Sequence, residues 1–439
     1  MRWRVVAIAA GAVLAAGGVA GAWYYHDQTQ TKNVRGSSSV EFDTTAGPVG
    51  DTTLPPPATS TAAGPAPRTL APWPMYGYEP GRTRVATFPD LRPPFKTLWA
   101  RKTRLIEFPP IAANGKIFVA ESRGHFYAAD GATGKIVWQH QFKRCSAGSP
   151  AYADGVVYHA FMGPRCQRVP GAKGIVVAMD SETGAIKWKA NSEVIESSLL
   201  SVKGSLYYGG WDAQIVSLDA NTGKKRWSFA TDSGVTSSIA YNRGTLFVGS
   251  DGGSFYAIDA SSGKLRWKSG SYSVFGKREY FYATPAVAYG RVYAPNTDGY
   301  VYSFGETSGK LRWARRVGSY VYSAPAIWRK KVYVGTYDGY LVAMDAATGD
   351  VRWKYSAPAA VHGAATIVDG VVYFSTLTGQ HAGAARTVKD GPGRTFGLDA
   401  TSGKVVWRRD EGRYTPIIAD GQRLYFTGLG HLYGLEPKG

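Results

Sequence analysis

The side chains that could carry chemistry are few and widely spaced in this 439-residue sequence. Its seven histidines are scattered without the short spacing of a metal-binding pair, so no histidine-based metal site is predicted. There is no G-x-S-x-G nucleophile elbow, no Walker loop and no G-x-G-x-x-G turn after a strand. The many Asp-Gly pairs lie outside any D-x-[DN]-x-[DN]-G calcium loop and read as hairpin turns. The sequence therefore predicts binding rather than catalysis, with no catalytic residue and no metal.

The cysteines number only two, Cys145 and Cys166. Outside the cytoplasm, such a pair favours a disulfide, which here would pin the loop that carries Cys166. Two free thiols are the alternative.

The N-terminus has the features of an export signal. Arg2 and Arg4 precede an uncharged run from Val5 to Ala22, which is just long enough to span a bilayer. Residues 1–25 are therefore interpreted as a signal-anchor helix in the cell membrane, with the C-terminal body extracytoplasmic. The small residues that end the run leave a cleaved signal and a secreted protein as the alternative. Residues 26–72 are rich in Thr, Ser, Pro and Gly and lack apolar periodicity, which predicts a disordered linker.

The chain is strongly basic, with 51 Lys and Arg against 32 Asp and Glu, a net charge of +19. Such a charge favours an anionic polymer or a lipid surface as partner, and an envelope protein is the other expected partner. Solubility alone is the competing explanation. Nucleic acid is not expected, because the export signal removes the chain from most of it.

A tryptophan-containing pattern recurs through residues 73–439, about every 40 residues or slightly more. This period, with strand signals and tight turns, is typical of propeller blades, and each repeat divides into four strands. The equivalent tryptophans are predicted to pack between blades: Trp99, Trp138, Trp188, Trp227, Trp267, Trp313, Trp353 and Trp407.

The two ends of the repeat array complement each other. The segment around Trp99 has the pattern of a blade's fourth strand with no blade before it, whereas the last repeat, residues 415–435, lacks its fourth strand. The sequence therefore predicts an all-β, eight-bladed propeller in which the N-terminal strand completes the last blade.

The motif A-x-D-x-x-T-G-K-x-x-W resembles the tryptophan-docking repeat of the PQQ enzyme-like propellers. Copies begin at Ala128, Ala178 and Ala343, and the resemblance extends over about residues 73–439. In one branch of that family, quinoprotein dehydrogenases hold pyrroloquinoline quinone (PQQ) and Ca²⁺ with adjacent cysteines, a catalytic Asp and Asp, Asn or Glu ligands. The other branch contains BamB-like, non-enzymatic scaffolds of outer-membrane assembly, but this chain has no lipid-attachment cysteine.

In its number of blades, its length and the separation of its two cysteines, the chain resembles the second branch more than the first. The expected function is therefore an extracytoplasmic, membrane-tethered binding or scaffold protein of the cell envelope, without a cofactor. A PQQ- and Ca²⁺-dependent dehydrogenase is the alternative.

The direction of the strands places a binding site on one face of the ring. The loops between blades and the hairpins between second and third strands share that face, and both long insertions, residues 162–173 and 376–394, fall in such hairpins. Aligning the residues that enter each first strand gives Glu107, Ala147, Ile195, Val235, Tyr282, Tyr322, His362 and Arg413. We predict that Glu107, Tyr282, Tyr322, His362 and Arg413 form a ligand-binding channel mouth. The alternative is that they only fill the channel.

Overall fold

The computed structural model describes residues 32–48, 70–164, 166, 171–274, 276–377, 393–414 and 417–438. The predicted signal-anchor, residues 1–25, lies outside these residues, as do 49–69 and most of the second hairpin insertion. No helix within the described ranges is long and apolar enough to cross a membrane.

The described chain is an all-β propeller of eight four-stranded antiparallel blades, as predicted. The strands of each blade are given from the innermost outward. Blade 1 has Ile111–Ala113, Lys116–Ala120, His125–Asp130 and Ile136–Gln141, and blade 2 has Ala151–Ala153, Val156–Phe161, Gly174–Asp180 and Ile186–Ser192. Blade 3 has Leu200–Val202, Ser205–Gly209, Gln214–Asp219 and Lys225–Ala230, and blade 4 has Ala240–Asn242, Thr245–Gly249, Ser254–Asp259 and Leu265–Gly270. Blade 5 has Ala286–Ala288, Arg291–Pro295, Tyr300–Gly305 and Leu311–Arg316, and blade 6 has Ala326–Trp328, Lys331–Gly335, Tyr340–Asp345 and Val351–Ser356. Blade 7 has Thr366–Val368, Val371–Ser375, Thr395–Asp399 and Val405–Arg409, and blade 8 has Ile418–Ala419, Leu424–Thr427, His431–Pro437 and Phe95–Lys102. A two-stranded hairpin, Ser273–Val274 with Lys277–Arg278, precedes blade 5.

The N-terminal strand closes the ring. Phe95–Lys102 pairs antiparallel with His431–Pro437, so the first strand of the repeat array supplies the outermost strand of the last blade. This pairing confirms the closure that the two incomplete repeats predict, and it leaves blade 8 with the same number of strands as the others.

Most of the repeated tryptophans dock onto the next blade in one way. The indole Nε1 of Trp188, for example, donates a hydrogen bond of 3.0 Å to the carbonyl of Ala220, in the turn between the third and fourth strands of blade 3. Gly223 of the same turn lies under the ring, where a Cβ atom would be 2.6 Å from the indole. Equivalent hydrogen bonds are made by Trp99, Trp138, Trp227, Trp267, Trp313 and Trp353.

Trp407 is the exception among the eight. The blade that follows it is blade 8, in which the third and fourth strands come from opposite ends of the chain, so no turn is present to receive the indole. Trp407 instead packs edge-on against Phe95, with ring centres 5.8 Å apart. The closing strand therefore replaces the missing turn with an aromatic contact.

Residues 71–86, which we call the plug segment, run around the inside of the ring at the end opposite the predicted mouth. Their backbone forms hydrogen bonds with the backbone at or next to the innermost strands of seven blades, at residues 112, 152, 241, 287, 327, 367 and 420. The fully buried Arg82 reaches the remaining blade, because its guanidinium donates to the carbonyl of Leu199 at 3.2 Å. Val85–Ala86 also pairs in parallel with Thr366–Val368. The plug segment thus satisfies the exposed inner edges of the blades and blocks one end of the channel.

Residues 32–48, which we call the N-terminal strap, lie along blade 5. Val34 bridges Ala314 on the outermost strand, and the guanidinium of Arg291, which is fully buried, donates to the carbonyls of Ser37, Val40 and Glu41. A disordered linker over residues 26–72 stays a prediction, although the described residues 32–48 lie against blade 5. The strap is held by backbone and charged hydrogen bonds, which leave no apolar periodicity in the sequence.

The docking geometry predicts an unequal effect of two otherwise similar glycine substitutions in blade 3. Gly223 and Gly204 have φ of +70° and +71°, but a Cβ at Gly204 meets nothing within 4 Å. Gly204→Ala should therefore cost only the positive-φ penalty of about 1–2 kcal/mol. Gly223→Ala should cost about 1–3 kcal/mol more, because it also displaces Trp188. Chemical denaturation of both variants measures the difference, and equal losses of stability would contradict the docking role of the glycine.

The strap predicts a local effect of Arg291. Arg291→Ala removes the donors for three strap carbonyls, so amide hydrogen exchange in residues 36–46 should accelerate by at least about tenfold while blades 1–3 keep their protection. Arg123→Ala, which changes an exposed arginine in the blade 1 hairpin, serves as the control and should leave exchange in the strap unchanged. Unaltered exchange in Arg291→Ala would show that the strap is held by other contacts.

Candidate functional site

The loops between blades and the hairpins between second and third strands form one face, as the strand directions predict. Within single blades, the amide of Trp211 in the hairpin donates to the carbonyl of Val194 in the preceding loop at 3.1 Å, and Tyr337 donates to Tyr320 in the same way. This face lies opposite the plug segment. We call it the mouth face.

A cavity of about 260 Å³ opens at the centre of the mouth face. Its floor includes Tyr76 of the plug segment, and its walls come from residues that enter the innermost strands. The side chains that line it are mostly aromatic or acidic: Tyr76, Glu107, Phe108, Glu196, Tyr282, Tyr322, His362 and Tyr414. We call this space the mouth cavity.

The structure brings the predicted mouth residues together. Glu107, Tyr282, Tyr322 and His362 all line the mouth cavity. Arg413 lies at its margin, where its guanidinium carbon is 5.1 Å from the ring centre of Tyr414. The contribution of these five residues to ligand binding stays a prediction.

The aromatic side of the cavity is a connected array of rings. Tyr282 and Tyr322 meet edge to face with centres 4.5 Å apart, and His362 is 5.4 Å from Tyr322 and 5.3 Å from Tyr414. The hydroxyl of Tyr337 and Nδ1 of His362 share a hydrogen bond. Edge-to-face packing and the hydrogen bond hold the rings in place, so the wall is formed before any ligand arrives.

Two carboxylates face the aromatic array. Glu196 accepts hydrogen bonds from the Tyr282 hydroxyl at 2.9 Å and from the Trp211 indole at 3.0 Å. Burial, followed by the negative charge of Glu196, raises the pKa of Glu107, although Arg413 acts in the opposite direction. Burial and the same Glu196 charge raise the pKa of Tyr282 well above its ordinary value, so this phenol stays a neutral hydrogen-bond donor. Among the described residues that line the cavity, Glu107 and Glu196 are thus the two carboxylates, and the charge of Arg413 also reaches Glu107.

The sequence alignment missed part of the wall by one position. In blade 3 it selected Ile195, which is only 1% exposed and belongs to the core, whereas the following residue, Glu196, lines the cavity. Val235 is likewise buried, and the neighbouring Thr236 takes the place at the wall. A polar residue immediately after an apolar one at a strand entrance was the available signal. Tyr76 had no such signal, because the plug segment is outside the repeat.

The predicted disulfide is present between Cys145 and Cys166, with Cα atoms 5.4 Å apart. Cys145 is 3% exposed and lies beside a second opening of about 310 Å³, which shares Glu107 and Glu196 with the mouth cavity. The disulfide therefore fastens the blade 2 hairpin to the edge of the mouth face.

Removing the disulfide should loosen this edge. Cys145→Ser with Cys166→Ser should lower the free energy of unfolding by about 3 kcal/mol, because the unfolded chain loses a cross-link between residues about 20 apart. Thermal unfolding with and without reductant measures this loss of stability. The double variant is the control, because reductant should not change its unfolding. A wild-type protein insensitive to full reduction would contradict the structural role of this bond.

The residues of the mouth cavity do not match the set that the quinoprotein resemblance implies. Cys145 and Cys166 are not adjacent in the sequence, and no aspartate is among the described residues that line the cavity. In the described part of the chain, no group of three or more His, Cys, Asp or Glu side chains is placed to hold a metal ion. PQQ is itself a polycarboxylate, which Glu107 and Glu196 would repel. No reaction step through this cofactor is therefore derived.

Comparison with known proteins finds similar proteins in both branches of the family that the repeat resembles. The family model described as "Outer membrane protein assembly factor BamB" matches residues 95–211 and 211–439. The quinohemoprotein alcohol dehydrogenase of Comamonas testosteroni is 24% identical over 174 residues, which are 38% of this chain but only 19% of that enzyme. The sequence similarity thus covers less than a fifth of the length of this relative.

Solved structures share the fold at low sequence identity. BamB from Moraxella catarrhalis superposes with a TM-score of 0.63 at 17% identity, covering 78% of this chain and 99% of that one. The Comamonas testosteroni alcohol dehydrogenase gives 0.67 at 15% identity, covering 84% and 81%. A europium-containing methanol dehydrogenase gives 0.67 at 13% identity, covering 83% and 98%. At such identities these likenesses concern the fold alone.

Proposed function

The chain belongs to the family described as outer membrane protein assembly factor BamB, and from that premise we propose that it is a non-catalytic binding protein of the cell envelope. The observation that carries this proposal is the one-ended channel. The plug segment lies across one end, and at the other end the described residues form a rigid cavity of aromatic and acidic side chains that includes neither an adjacent cysteine pair nor a group of metal ligands. Such a cavity suits the capture of a group presented from outside.

The mouth face outside the cavity supports a macromolecular partner. It exposes two large apolar side chains, Tyr280 in the loop entering blade 5 (47% exposed) and Leu429 in the hairpin of blade 8 (51% exposed). Aromatic and apolar side chains of this kind are enriched where proteins meet a partner. We therefore propose that a partner protein covers the mouth face and inserts a group into the cavity.

A membrane tether remains part of the proposal. If residues 1–25 anchor the chain, only residues 26–31 separate the anchor from the N-terminal strap. Six residues extend about 20 Å at most, so the side of blade 5 would lie close to the membrane. The net charge of +19 supports such an approach to anionic lipid.

The dehydrogenase alternative keeps one specific observation in its favour, the match to the alcohol dehydrogenase of Comamonas testosteroni. Full-length protein in detergent, mixed with PQQ and Ca²⁺, separates the two functions. We expect neither saturable PQQ binding nor dye-linked alcohol oxidation, because the described residues of the cavity do not include the set that a quinoprotein requires. Saturable binding with turnover would overturn the non-catalytic function.

Loss of partner capture tests the mouth face directly. We expect a quadruple alanine variant of Tyr282, Tyr322, His362 and Arg413 to reduce recovery of envelope proteins with the tethered chain by at least about tenfold, because the aromatic wall is removed. Lys203→Ala with Lys330→Ala, which changes exposed turn residues on the plugged face, is the control and should capture normally. Capture that survives the quadruple variant but fails in the control would place the interface on the other face. Thermal unfolding of both variants checks that each remains folded.

A further inference from the structure

The turn between the third and fourth strands is built around a carboxylate in blades 3 and 4. In blade 4, Asp259 accepts hydrogen bonds from the Ser262 hydroxyl at 2.9 Å and from the Arg266 guanidinium at 2.7 Å. Asp219 of blade 3 makes the corresponding two contacts at 3.0 and 2.6 Å. The carboxylate thus joins the turn to the outermost strand of its own blade.

Blade 5 has a glycine where these blades have the aspartate. Gly305 stands in that position, while Ser308 and Arg312 keep the hydroxyl and the guanidinium. The backbone of the turn is unchanged, because the amide of Gly305 donates to the carbonyl of Lys310 at 2.9 Å, just as the amide of Asp259 donates to the carbonyl five residues later at 2.8 Å. Blade 5 therefore keeps the donors of the site although its repeat does not supply the carboxylate.

The N-terminal strap supplies this carboxylate. Oε2 of Glu41 accepts hydrogen bonds from the Ser308 hydroxyl at 2.9 Å and from Nε of Arg312 at 2.6 Å, the same two groups at almost the same distances as in blade 4. A Cβ atom at Gly305 would lie 1.8 Å from that oxygen. Glu41 thus occupies the space that the aspartate side chain would fill, and the glycine is what makes room for it.

Backbone contacts on both sides fix the position of this glutamate. Before it, Val34 and Ala314 form an antiparallel bridge with hydrogen bonds of 2.9 and 3.0 Å, so the strap adds to the edge of the outermost strand. After it, the amide of Asp43 donates to the carbonyl of Tyr289 at 2.9 Å. In peptides that bind by adding to a strand edge, main-chain bonds give affinity and individual side chains give specificity. The strap is held in this way, with Glu41 as the selective side chain.

We propose that blade 5 carries a peptide-binding site that selects a glutamate on an extended segment, and that the strap is its intramolecular ligand. The strap is then a separable element, which can leave the site while the ring stays folded.

Release of the strap would change the reach of the membrane tether, a consequence that rests on the proposed function. With the strap bound, residues 26–31 separate the anchor from the body. With the strap released, residues 26–70 do so, and the greatest extension rises from about 20 Å to about 150 Å. Occupation of the site would therefore set how far the mouth face can stand from the membrane.

The first test measures binding of the strap as a separate peptide. A fluorescently labelled peptide of residues 32–48 is titrated into the full-length protein in detergent at physiological ionic strength. In one variant, Glu41→Ala with Val34→Pro empties the site, because it removes the carboxylate and the amide donor of the bridge. We expect saturable one-site binding to this variant, at least about tenfold tighter than to the wild-type chain, whose own strap competes at high effective concentration.

The control peptide has Val40 and Glu41 exchanged, which keeps its composition and charge but displaces the carboxylate along the chain. It should bind the emptied variant at least about tenfold more weakly than the natural peptide. Adding Gly305→Asp to the emptied variant should abolish binding of the natural peptide, because the blade then fills the site with its own carboxylate.

The second test restores the aspartate in the otherwise wild-type chain. Gly305→Asp should expel Glu41, so amide hydrogen exchange in residues 36–46 should accelerate by at least about tenfold, while retained protection in blades 1–3 shows that the ring is folded. Gly430→Asp is the matched control. Its Cβ would meet nothing within 4 Å, and neither glycine has a left-handed φ, so exchange in the strap should stay unchanged.

Three results would overturn the glutamate site: equal binding of the two peptides, no saturable binding to the emptied variant, or strap exchange that Gly305→Asp leaves unaltered. Equal affinity of the natural peptide for the wild-type chain would overturn its occupation by the strap. These measurements involve neither the mouth face nor a membrane. Each can therefore fail while the mouth face still captures its partner, so failure of the site is distinguishable from failure of the proposed function.

Discussion

The contact between a tryptophan and the glycine beneath it sets the geometry of this ring. Each docked indole lies flat against a turn of the next blade, where a Cβ would come within 3 Å of the ring, and its Nε1 is bonded to that turn. Seven such contacts fix the spacing between successive blades. Because all eight innermost strands then converge at constant spacing, residues far apart in the chain meet at one small opening.

The chain ends make the two ends of the channel different. The closing strand replaces the eighth docking contact with the packing of Phe95 on Trp407, and the preceding plug segment bonds to the inner edges of the blades. As a result, one end of the channel is blocked by the protein's own backbone and the other is a preformed cavity. A channel open at both ends would have no such floor, and Tyr76 would not face the mouth.

Sequence patterns predicted the ring but not its additions. The blade number, the closure and the disulfide follow from a repeated Trp, two incomplete repeats and a lone pair of cysteines, each of which leaves a local signal. The plug segment and the N-terminal strap bind through backbone carbonyls and buried arginines, such as Arg82 and Arg291, so their sequences look like linker. The mouth residues were found wherever a large side chain stood in the aligned column. Glu196 was not selected because the alignment was wrong by one residue at the start of the innermost strand of blade 3.

The central claim is that the mouth face, and not the plugged face, meets the partner. Site-specific photocrosslinking in intact cells tests it most directly, with benzoylphenylalanine placed at Tyr280 beside the mouth or at Lys203 on the opposite face. The structure predicts a discrete protein adduct from position 280 and none from position 203. An adduct formed only from position 203 would contradict the assignment of the binding face.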